Sequence, residues 1–154
     1  MPDYFDIADT LVIAPNFKKR LSGVTSTIVA LVPCQRAMGV KIAALAPEGL
    51  PASVPRVRFR DLWKMWKRPA DAKVRIWHAR RNTEMLPGII LRDALRMPLK
   101  LVFTSAAQRD HSGYTKWLIR RMDAVIATSS QAASYLQVPH SIIMHGIDTA
   151  RFSP

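Results

Sequence analysis

Short apolar runs alternate with longer amphipathic stretches along the whole chain, and this alternation restricts the fold more than any other feature. Several of the runs are apolar on both sides, as strands are when helices cover both faces of a parallel sheet. Alternating strands and helices favour a parallel sheet with right-handed crossovers. The sequence therefore predicts an α/β fold, a doubly wound Rossmann-like parallel sheet of about seven strands.

The predicted elements can be placed on the chain. Seven runs are expected as strands: Thr10–Pro15, Val40–Ala46, Arg56–Phe59, Lys73–His78, Leu99–Thr104, Ala124–Thr128 and His140–Met144. Five stretches are expected as helices: Val24–Met38, Asp61–Arg68, Thr83–Arg96, Gly113–Met122 and Gln131–Leu136. Pro33 should kink the first helix, and Pro87 with Gly88 should move the start of the third helix beyond Thr83.

Length and composition exclude several classes of protein. The 154 residues suit one domain, and 49% hydrophobic residues are enough for a core. No apolar run approaches the roughly 20 residues of a membrane-spanning helix. The acidic start MPDYFDIADT does not resemble a signal peptide, so we expect a cytoplasmic chain. The single cysteine, Cys34, excludes an internal disulfide and a cysteine-based zinc cluster.

The charge balance indicates an anionic partner. Lys and Arg number 23 against 11 Asp and Glu, which gives a net charge of +12 and a pI near 10.7. Such a balance is typical of chains that meet nucleic acid, an anionic membrane or a phosphorylated substrate. Ten of the basic residues and only two acids lie between Arg56 and Arg81, together with three of the four tryptophans.

The segment Asp61–Arg68 is a candidate membrane-binding helix. An α-helical projection places Leu62, Met65 and Trp66 on one face, with Trp63 at its margin. The basic side chains gather on the other face, and tryptophans beside basic residues favour an anionic membrane. The candidate residues are Trp63, Lys64, Trp66, Lys67 and Arg68. An ordinary surface helix whose tryptophans pack on the sheet is the alternative.

Ligands of open α/β sheets bind beyond the carboxyl ends of the strands, which directs attention to the loops there. These loops are Asn16–Gly23, Ala79–Asn82, Ser105–Ser112, Ser129–Ser130 and His145–Asp148. In the first loop, three basic residues precede a glycine that opens a helix, which suits a bound anion. Taken alone, however, these residues favour a tight turn with a solvated basic loop over an anion site.

The histidines and arginines of the other loops suit anion recognition better than hydrolysis or metal binding. His78, Arg80 and Arg81 follow one strand, and Arg109 and His111 follow the next. Guanidinium groups bind phosphate and carboxylate through paired hydrogen bonds. The four histidines lack H-x-x-x-H spacing, so no metal site is expected. The chain also lacks the G-x-G-x-x-G, P-loop and G-x-S-x-G patterns.

Three segments together resemble a known family. They are MGVKIAALAP in the second predicted strand, AVIATSS near residue 124 and the closing run IIMHGIDTARFSP. They resemble the amino-terminal domain of retaining GT-B glycosyltransferases of family 4. From His78 to Pro154 the chain looks most similar to bacterial lipopolysaccharide core mannosyltransferases.

This resemblance implies a two-domain enzyme of which the chain is the acceptor-binding half. The absent carboxyl-terminal domain, in the same or a separate chain, would hold the nucleotide sugar. The whole enzyme would transfer a hexose, mannose from GDP-mannose, with retention to a lipopolysaccharide core or other glycolipid acceptor. It would need no metal or further cofactor and would work peripherally at the inner face of the cell membrane. The chain alone would be inactive, and no nucleic-acid partner is implied.

The resemblance also implies roles for individual residues. Gly23, Val24, His145 and Gly146 would face the donor, and Lys18, Arg20, Arg80, Arg81 and Arg109 would bind the acceptor. The family often carries a histidine soon after the threonine of the fifth strand, where this chain has Thr104, Ser105 and Ala106. His78 and His111 are therefore both candidates for the catalytic position.

Two alternatives from other functional classes stay open. A basic nucleic-acid-binding α/β module would explain the pI and the tryptophans among arginines, although the chain contains no recognised motif of that class. A non-catalytic half that docks a separate partner subunit would expose an apolar surface beside the strand edges.

Overall fold

The computed structural model describes residues 3–20 and 22–146. Six strands form one sheet: β1 (Val12–Pro15), β2 (Ile42–Leu45), β3 (Arg75–Ala79), β4 (Leu99–Ser105), β5 (Ala124–Ala127) and β6 (Ser141–Ile142). Their order in the sheet is β2-β1-β3-β4-β5-β6, and every pairing is parallel. The predicted α/β class and Rossmann-like parallel sheet are confirmed.

Helices flank both faces of this sheet. The α-helices are α1 (Gly23–Ala37), α2 (Asn82–Ile89), α3 (Gly113–Ile119) and α4 (Ser130–Ser134). Two 3-10 helices, Ile7–Asp9 and Phe59–Trp66, precede β1 and β3, and α2 continues as a π-helical turn over Ile90–Ala94. The chain from Ile147 to Pro154, which includes most of the motif-like ending, lies outside the described residues.

Two clusters of buried side chains show which helices cover which face. Ile28 and Val32 of α1 pack with Ala14, Ile42 and Ala44 on one face of β1 and β2. The alternate residues of the same strands belong to the larger core on the opposite face, which also receives α2, α3, α4 and Met65 of the longer 3-10 helix. Among the described residues, α1 is thus the one helix on its face, and it leaves that side of β3, β4 and β5 only half-buried.

The prediction of a strand over Arg56–Phe59 is wrong. Within this segment only Arg56 forms β-bridges, which are isolated parallel bridges to Tyr4 and Ala44. Arg56 is buried, and its guanidinium donates hydrogen bonds to the carbonyl oxygens of Leu50 and Pro51. The chain then turns into the 3-10 helix at Phe59, which ends the extended conformation after the two bridges of Arg56.

The predicted late start of the third helix is also wrong. Helix α2 begins at Asn82 and includes Pro87. Its first turn is held by Glu84, whose carboxylate accepts the backbone N–H of Arg80 at 2.8 Å in the manner of a capping box. Gly88 then allows a close approach to β3, since a Cβ there would lie 2.7 Å from Cδ1 of Trp77.

Candidate functional site

The candidate site lies where β1 and β3 end side by side. The chain leaves β1 toward α1 on one face and leaves β3 toward α2 on the other. Such a change in winding direction opens a crevice at the carboxyl edge of an α/β sheet. The β1–α1 loop and the β3–α2 loop, which the sequence predicts as ligand loops, meet at this crevice.

Arg81 joins the two loops. Its Nη1 donates to Asn16 Oδ1 at 2.7 Å and to Glu84 Oε1 at 2.9 Å, while its Nη2 donates to Ser22 Oγ at 2.6 Å. Asn16 and Glu84 are buried, and burial raises the pKa of Glu84 while the Arg80 amide and Arg81 act against that rise. Arg81 was expected to bind the acceptor; its guanidinium also positions Ser22, the residue that caps α1.

A cleft of about 410 Å³ opens beside this network. It is lined by Lys18, Ser22, Gly23, Val24, Thr27, Arg80, Arg81, Thr104, Ala106 and His145. The first amides of an α-helix have no partner within the helix and carry a partial positive charge. With Gly23 and Val24 in the wall beside Lys18 and Arg80, the cleft presents both backbone donors and fixed cations to an anion.

A second cleft of about 610 Å³ continues along the open side of β3, β4 and β5. Thr27, Arg80, Thr104 and His145 line both clefts, so we describe the two as one carboxyl-edge groove. Its far end is bordered by Ile143, Met144 and Gly146 together with Leu31 of α1. The groove therefore has a cationic end at α1 and a more apolar end beyond β6.

Arg80 is the cation that both parts of the groove share. Burial lowers the pKa of its guanidinium, with the Glu84 carboxylate opposing this effect. An arginine remains protonated nevertheless. Among the described residues, the hydrogen bond of its guanidinium is a long one, from Nη1 to the His78 carbonyl at 3.5 Å. A desolvated guanidinium with such weak protein contacts is well suited to bind an anionic group.

The structure separates the two candidate catalytic histidines. His78 lines the groove, and its Nε2 lies 2.7 Å from Thr104 Oγ1. Burial, with Arg80 nearby, lowers the pKa of His78 to about 3, so its ring is neutral at physiological pH. A neutral imidazole here can orient the Thr104 hydroxyl or form a hydrogen bond with a ligand. Because the ring is not protonated at physiological pH, it is not suited to act as a general acid.

His111 lies instead in a wide recess of about 920 Å³ formed by Asn82 and the β4–α3 loop. Its Nε2 is 3.2 Å from the Oγ of buried Ser105, and burial lowers the pKa of the His111 ring. The adjacent Asp110 forms an ion pair with Lys116 at 2.8 Å. Arg109, another predicted acceptor-binding residue, also lines this recess.

The remaining predicted site residues divide between the groove and the solvent. Lys18 lines the groove, and Arg20 is exposed on the β1–α1 loop beside Leu21, which lies outside the described residues. His145 and Gly146 line the groove as described, whereas Ile147 and Asp148 of the same motif are not described. Within residues 3–20 and 22–146, no cluster of three His, Cys, Asp or Glu side chains could hold a metal ion.

The sequence patterns gave no role to three polar residues that build the site. Asn16 follows β1, Glu84 lies in the first turn of α2, and half-buried Thr104 lines the groove from β4. A polar residue at the end of an apolar run is a weak signal, and Asn16 and Thr104 contact Arg81 and His78, which are far away from them in sequence. The alternation of buried and half-buried residues along β4 is the pattern from which Thr104 could have been identified.

The candidate membrane-binding segment adopts a different helix from the one expected. In the 3-10 helix Phe59–Trp66, side chains three apart share a face, so Leu62 and Met65 turn inward while Trp63 and Trp66 are 63% and 52% exposed. Lys64 pairs with Asp6 and Asp61, while Lys67 and Arg68 are exposed. The alternative in which both tryptophans pack on the sheet is therefore wrong.

In the described ranges, no helix is long and apolar enough to cross a bilayer.

The fold and the site together define a class: a Rossmann-like parallel α/β domain with a cationic groove at its carboxyl edge. Two curated proteins match the chain itself. The lipopolysaccharide core biosynthesis mannosyltransferase LpsB of Rhizobium meliloti (strain 1021) is 68% identical over 149 residues. The lipopolysaccharide core biosynthesis mannosyltransferase LpcC of Rhizobium leguminosarum bv. viciae is 62% identical over 149 residues.

Each of these matches covers 97% of the chain but only 42% of the mannosyltransferase. The chain is a relative of these proteins, and the predicted resemblance to bacterial lipopolysaccharide core mannosyltransferases is confirmed. No family model matches the chain, and no solved structure matches it.

Proposed function

We propose that the chain is the amino-terminal, acceptor-binding half of a retaining GT-B glycosyltransferase of family 4. The whole enzyme would transfer mannose from GDP-mannose to a lipopolysaccharide core or similar glycolipid acceptor. The high identity with two core mannosyltransferases over nearly the whole chain is the observation that carries this proposal. The cationic groove supports it, because both the donor and such acceptors carry phosphate or carboxylate groups.

In this proposal, the α1 end of the groove stabilises the negative charge that develops on the leaving diphosphate. Gly23 and Val24, at the amino terminus of α1, line the same cleft as Arg80. Preorganised donors in a partly desolvated site stabilise developing charge without the reorganisation that water needs. Arg81 acts indirectly, because it fixes the Ser22 cap and hence the direction of the first turn of α1.

The rest of the groove and the adjoining recess would hold sugar. His78, neutral in the folded protein, orients the Thr104 hydroxyl toward the part of the groove that both clefts share. Lys18 in the groove and Arg109 in the recess would pair with acidic groups of the acceptor, as exposed Arg20 would at the entrance. The nucleotide portion of the donor would be bound by the domain that lies outside this chain.

The proposed acceptor is a glycolipid, so we place the enzyme on the cytoplasmic face of the cell membrane as a peripheral protein. Trp63 and Trp66 are exposed next to Lys67 and Arg68, as an interfacial contact with anionic lipid requires. This surface lies on the helical layer opposite α1, which leaves the groove free for substrate.

The test is a transfer assay with the full-length protein, GDP-mannose and purified core acceptor. Arg80→Gln should lower kcat/KM by roughly 10-fold to 100-fold, since a hydrogen bond to a charged group contributes about 1.5–3 kcal/mol. Lys41→Gln is the matched control, because Lys41 is an exposed cation beside Asp71, at the start of β2 and away from the groove.

Two results would contradict the proposal. Unchanged kcat/KM in Arg80→Gln would remove the groove from the reaction. Turnover of GDP-mannose by the 154-residue chain alone would show that it does not need a second half.

A further inference from the structure

Helix α3 presents an aromatic surface that the proposed reaction does not use. Tyr114 and Trp117 stack with ring centroids 6.4 Å apart and an angle of 14° between the planes. The guanidinium of Arg121 lies 3.7 Å from the Trp117 ring centroid, and its Nη1 donates to the Trp117 carbonyl at 3.1 Å. Tyr114 and Trp117 remain 50% and 42% exposed.

The core of the domain does not require these side chains. Leu118 and Ile119 are the residues of α3 that enter the buried cluster, and neither Tyr114 nor Trp117 belongs to it. Two large aromatic rings left half in water, with a charged group ordered against one of them, form an amphipathic surface. Tyrosine and tryptophan suit an interface where one end is apolar and the other is wet.

This surface continues toward the exposed tryptophans of the longer 3-10 helix. Arg121 interacts with the charge of Asp93 in the π-helical turn that follows α2. The same turn and the residue after it carry exposed Ile90 and Leu95. Trp66 Nε1 donates to the Leu95 carbonyl at 2.6 Å, which joins the two elements directly. A band of exposed apolar side chains therefore runs along one helical layer from Trp66 to Trp117.

The charges around the band identify its occupant. Lys67, Arg68, Arg96, Arg120 and Arg121 are exposed on the same elements or beside them. The acids of this region are neutralised: Asp93 pairs with Arg92, and Asp123 pairs with Arg92 and Lys100. A second copy of this chain would bring an equally cationic surface to the contact. A bilayer with anionic headgroups complements both the charge and the aromatic rings.

We propose that Tyr114, Trp117 and Arg121 form a second aromatic anchor for an anionic membrane, on the same helical layer as Trp63 and Trp66. Two anchors on one helical layer fix the orientation of the domain on the bilayer, which a single anchor leaves free to rotate. Membrane binding by this surface does not depend on the glycosyl transfer reaction, so the two can be measured separately.

The test measures co-sedimentation of the full-length protein with phosphatidylcholine vesicles, with and without phosphatidylglycerol. Trp117→Ala/Arg121→Gln should reduce the partition coefficient on anionic vesicles by roughly tenfold, since one charge near the surface contributes about fivefold and a buried ring adds to it. The variant Arg120→Glu/Arg121→Glu keeps both rings, and it should reduce the partition coefficient at least as much. Lys67→Glu/Arg68→Glu tests the first anchor in the same assay.

The matched control is Tyr4→Ala/Arg58→Gln, which removes another exposed ring with an arginine over it. Arg58 lies 4.5 Å from the Tyr4 ring centroid, next to the isolated bridge between Tyr4 and Arg56. This control should bind vesicles as the unmodified protein does. Thermal unfolding midpoints of all variants establish that they fold.

Three outcomes would overturn the inference. The first is unchanged partitioning of both α3 variants, and the second is an equal loss in the Tyr4 control. The third is a change from dimer to monomer in the α3 variants without a change in vesicle binding, which would assign the surface to a second copy.

Discussion

The Arg81–Glu84 pair is the contact on which the geometry of the groove depends most, and its removal gives the sharpest test. Glu84 has no exposed surface, and Arg81 donates to its Oε1 at 2.9 Å. In Arg81→Met the carboxylate would keep only its contact with the Arg80 amide at 2.8 Å. Asn16 and Ser22 would lose their shared donor at the same time.

The expected loss of stability follows from these contacts. Removing one partner of a buried ion pair costs about 3–5 kcal/mol, and the remaining Arg80 amide places this case near the lower limit, at about 3 kcal/mol. For a chain of this length, that corresponds to a decrease in Tm of roughly 6–12 °C. Glu84→Gln keeps only one of the two acceptor oxygens, because the Arg80 amide and Arg81 donate to different oxygens of the carboxylate, and it should cost about 1–3 kcal/mol.

The double variant separates the pair from its surroundings. In Arg81→Met/Glu84→Gln no charge is left unpaired at the site, so the double variant should be less destabilised than the sum of the single variants by about 1 kcal/mol or more. Chemical unfolding at pH 7 measures all three variants. Simple additivity would mean that the two side chains do not interact as the structure indicates.

The pH dependence of the Arg81→Met defect has a definite sign. Burial already raises the pKa of Glu84, and loss of Arg81 removes an opposing effect, so the pKa should rise further. A folded-state pKa above the unfolded value means that ionisation costs folding free energy as pH rises through that range. The stability deficit should therefore be largest at pH 7 and shrink as pH falls toward 5. A deficit that grows on acidification would refute this account.

Two further predictions concern the neighbours of this pair. Because the pKa of His78 is lowered to about 3, its ring resonances should not titrate between pH 5 and 8 in NMR spectra. His78 should also make the protein less stable as pH falls below the unfolded-state value of about 6.5, and His78→Gln should reduce this loss. Gly88→Ala should destabilise by about 1–3 kcal/mol, because its methyl group would lie 2.7 Å from Trp77 Cδ1. Gly113→Ala, where a methyl group would meet open space, is the control, and equal Tm values for the two would contradict the prediction.

The architecture was predictable from sequence because it depends on patterns that repeat. Strands β1, β2, β3, β4, β5 and β6 all fall within or overlap predicted runs, since a buried parallel strand is apolar on both faces wherever it lies. Arg56–Phe59 satisfies the same local pattern but forms only isolated bridges. The Arg56 guanidinium binds the carbonyl groups of Leu50 and Pro51 instead of facing solvent. The local sequence pattern does not predict that contact.

The site was predictable to the level of its loops but not of its contacts. A parallel sheet brings the carboxyl ends of its strands to one edge, so the placement of Arg80, His78 and Gly23 there follows from topology. That Arg81 holds the two loops together depends on the buried partners Asn16 and Glu84, which lie more than sixty residues apart in sequence. Trp66 was placed on the face of Leu62 and Met65 because an α-helical repeat of 3.6 residues was expected, whereas the segment is a 3-10 helix with a repeat of three residues.

The β4–α3 loop connects the two surfaces to which we assign functions. Ala106 lines the groove, the next six residues line the open recess, and Tyr114 begins the aromatic surface of α3 one residue beyond Gly113. A glycolipid acceptor anchored in a membrane below α3 would therefore meet Arg109 and His111 before its terminal sugar reached Arg80 in the groove. If this order is correct, Arg109→Gln should raise KM for the acceptor and leave KM for GDP-mannose unchanged, because the recess lies outside the part of the groove that we assign to the donor. An equal rise in both KM values would place the acceptor on another path.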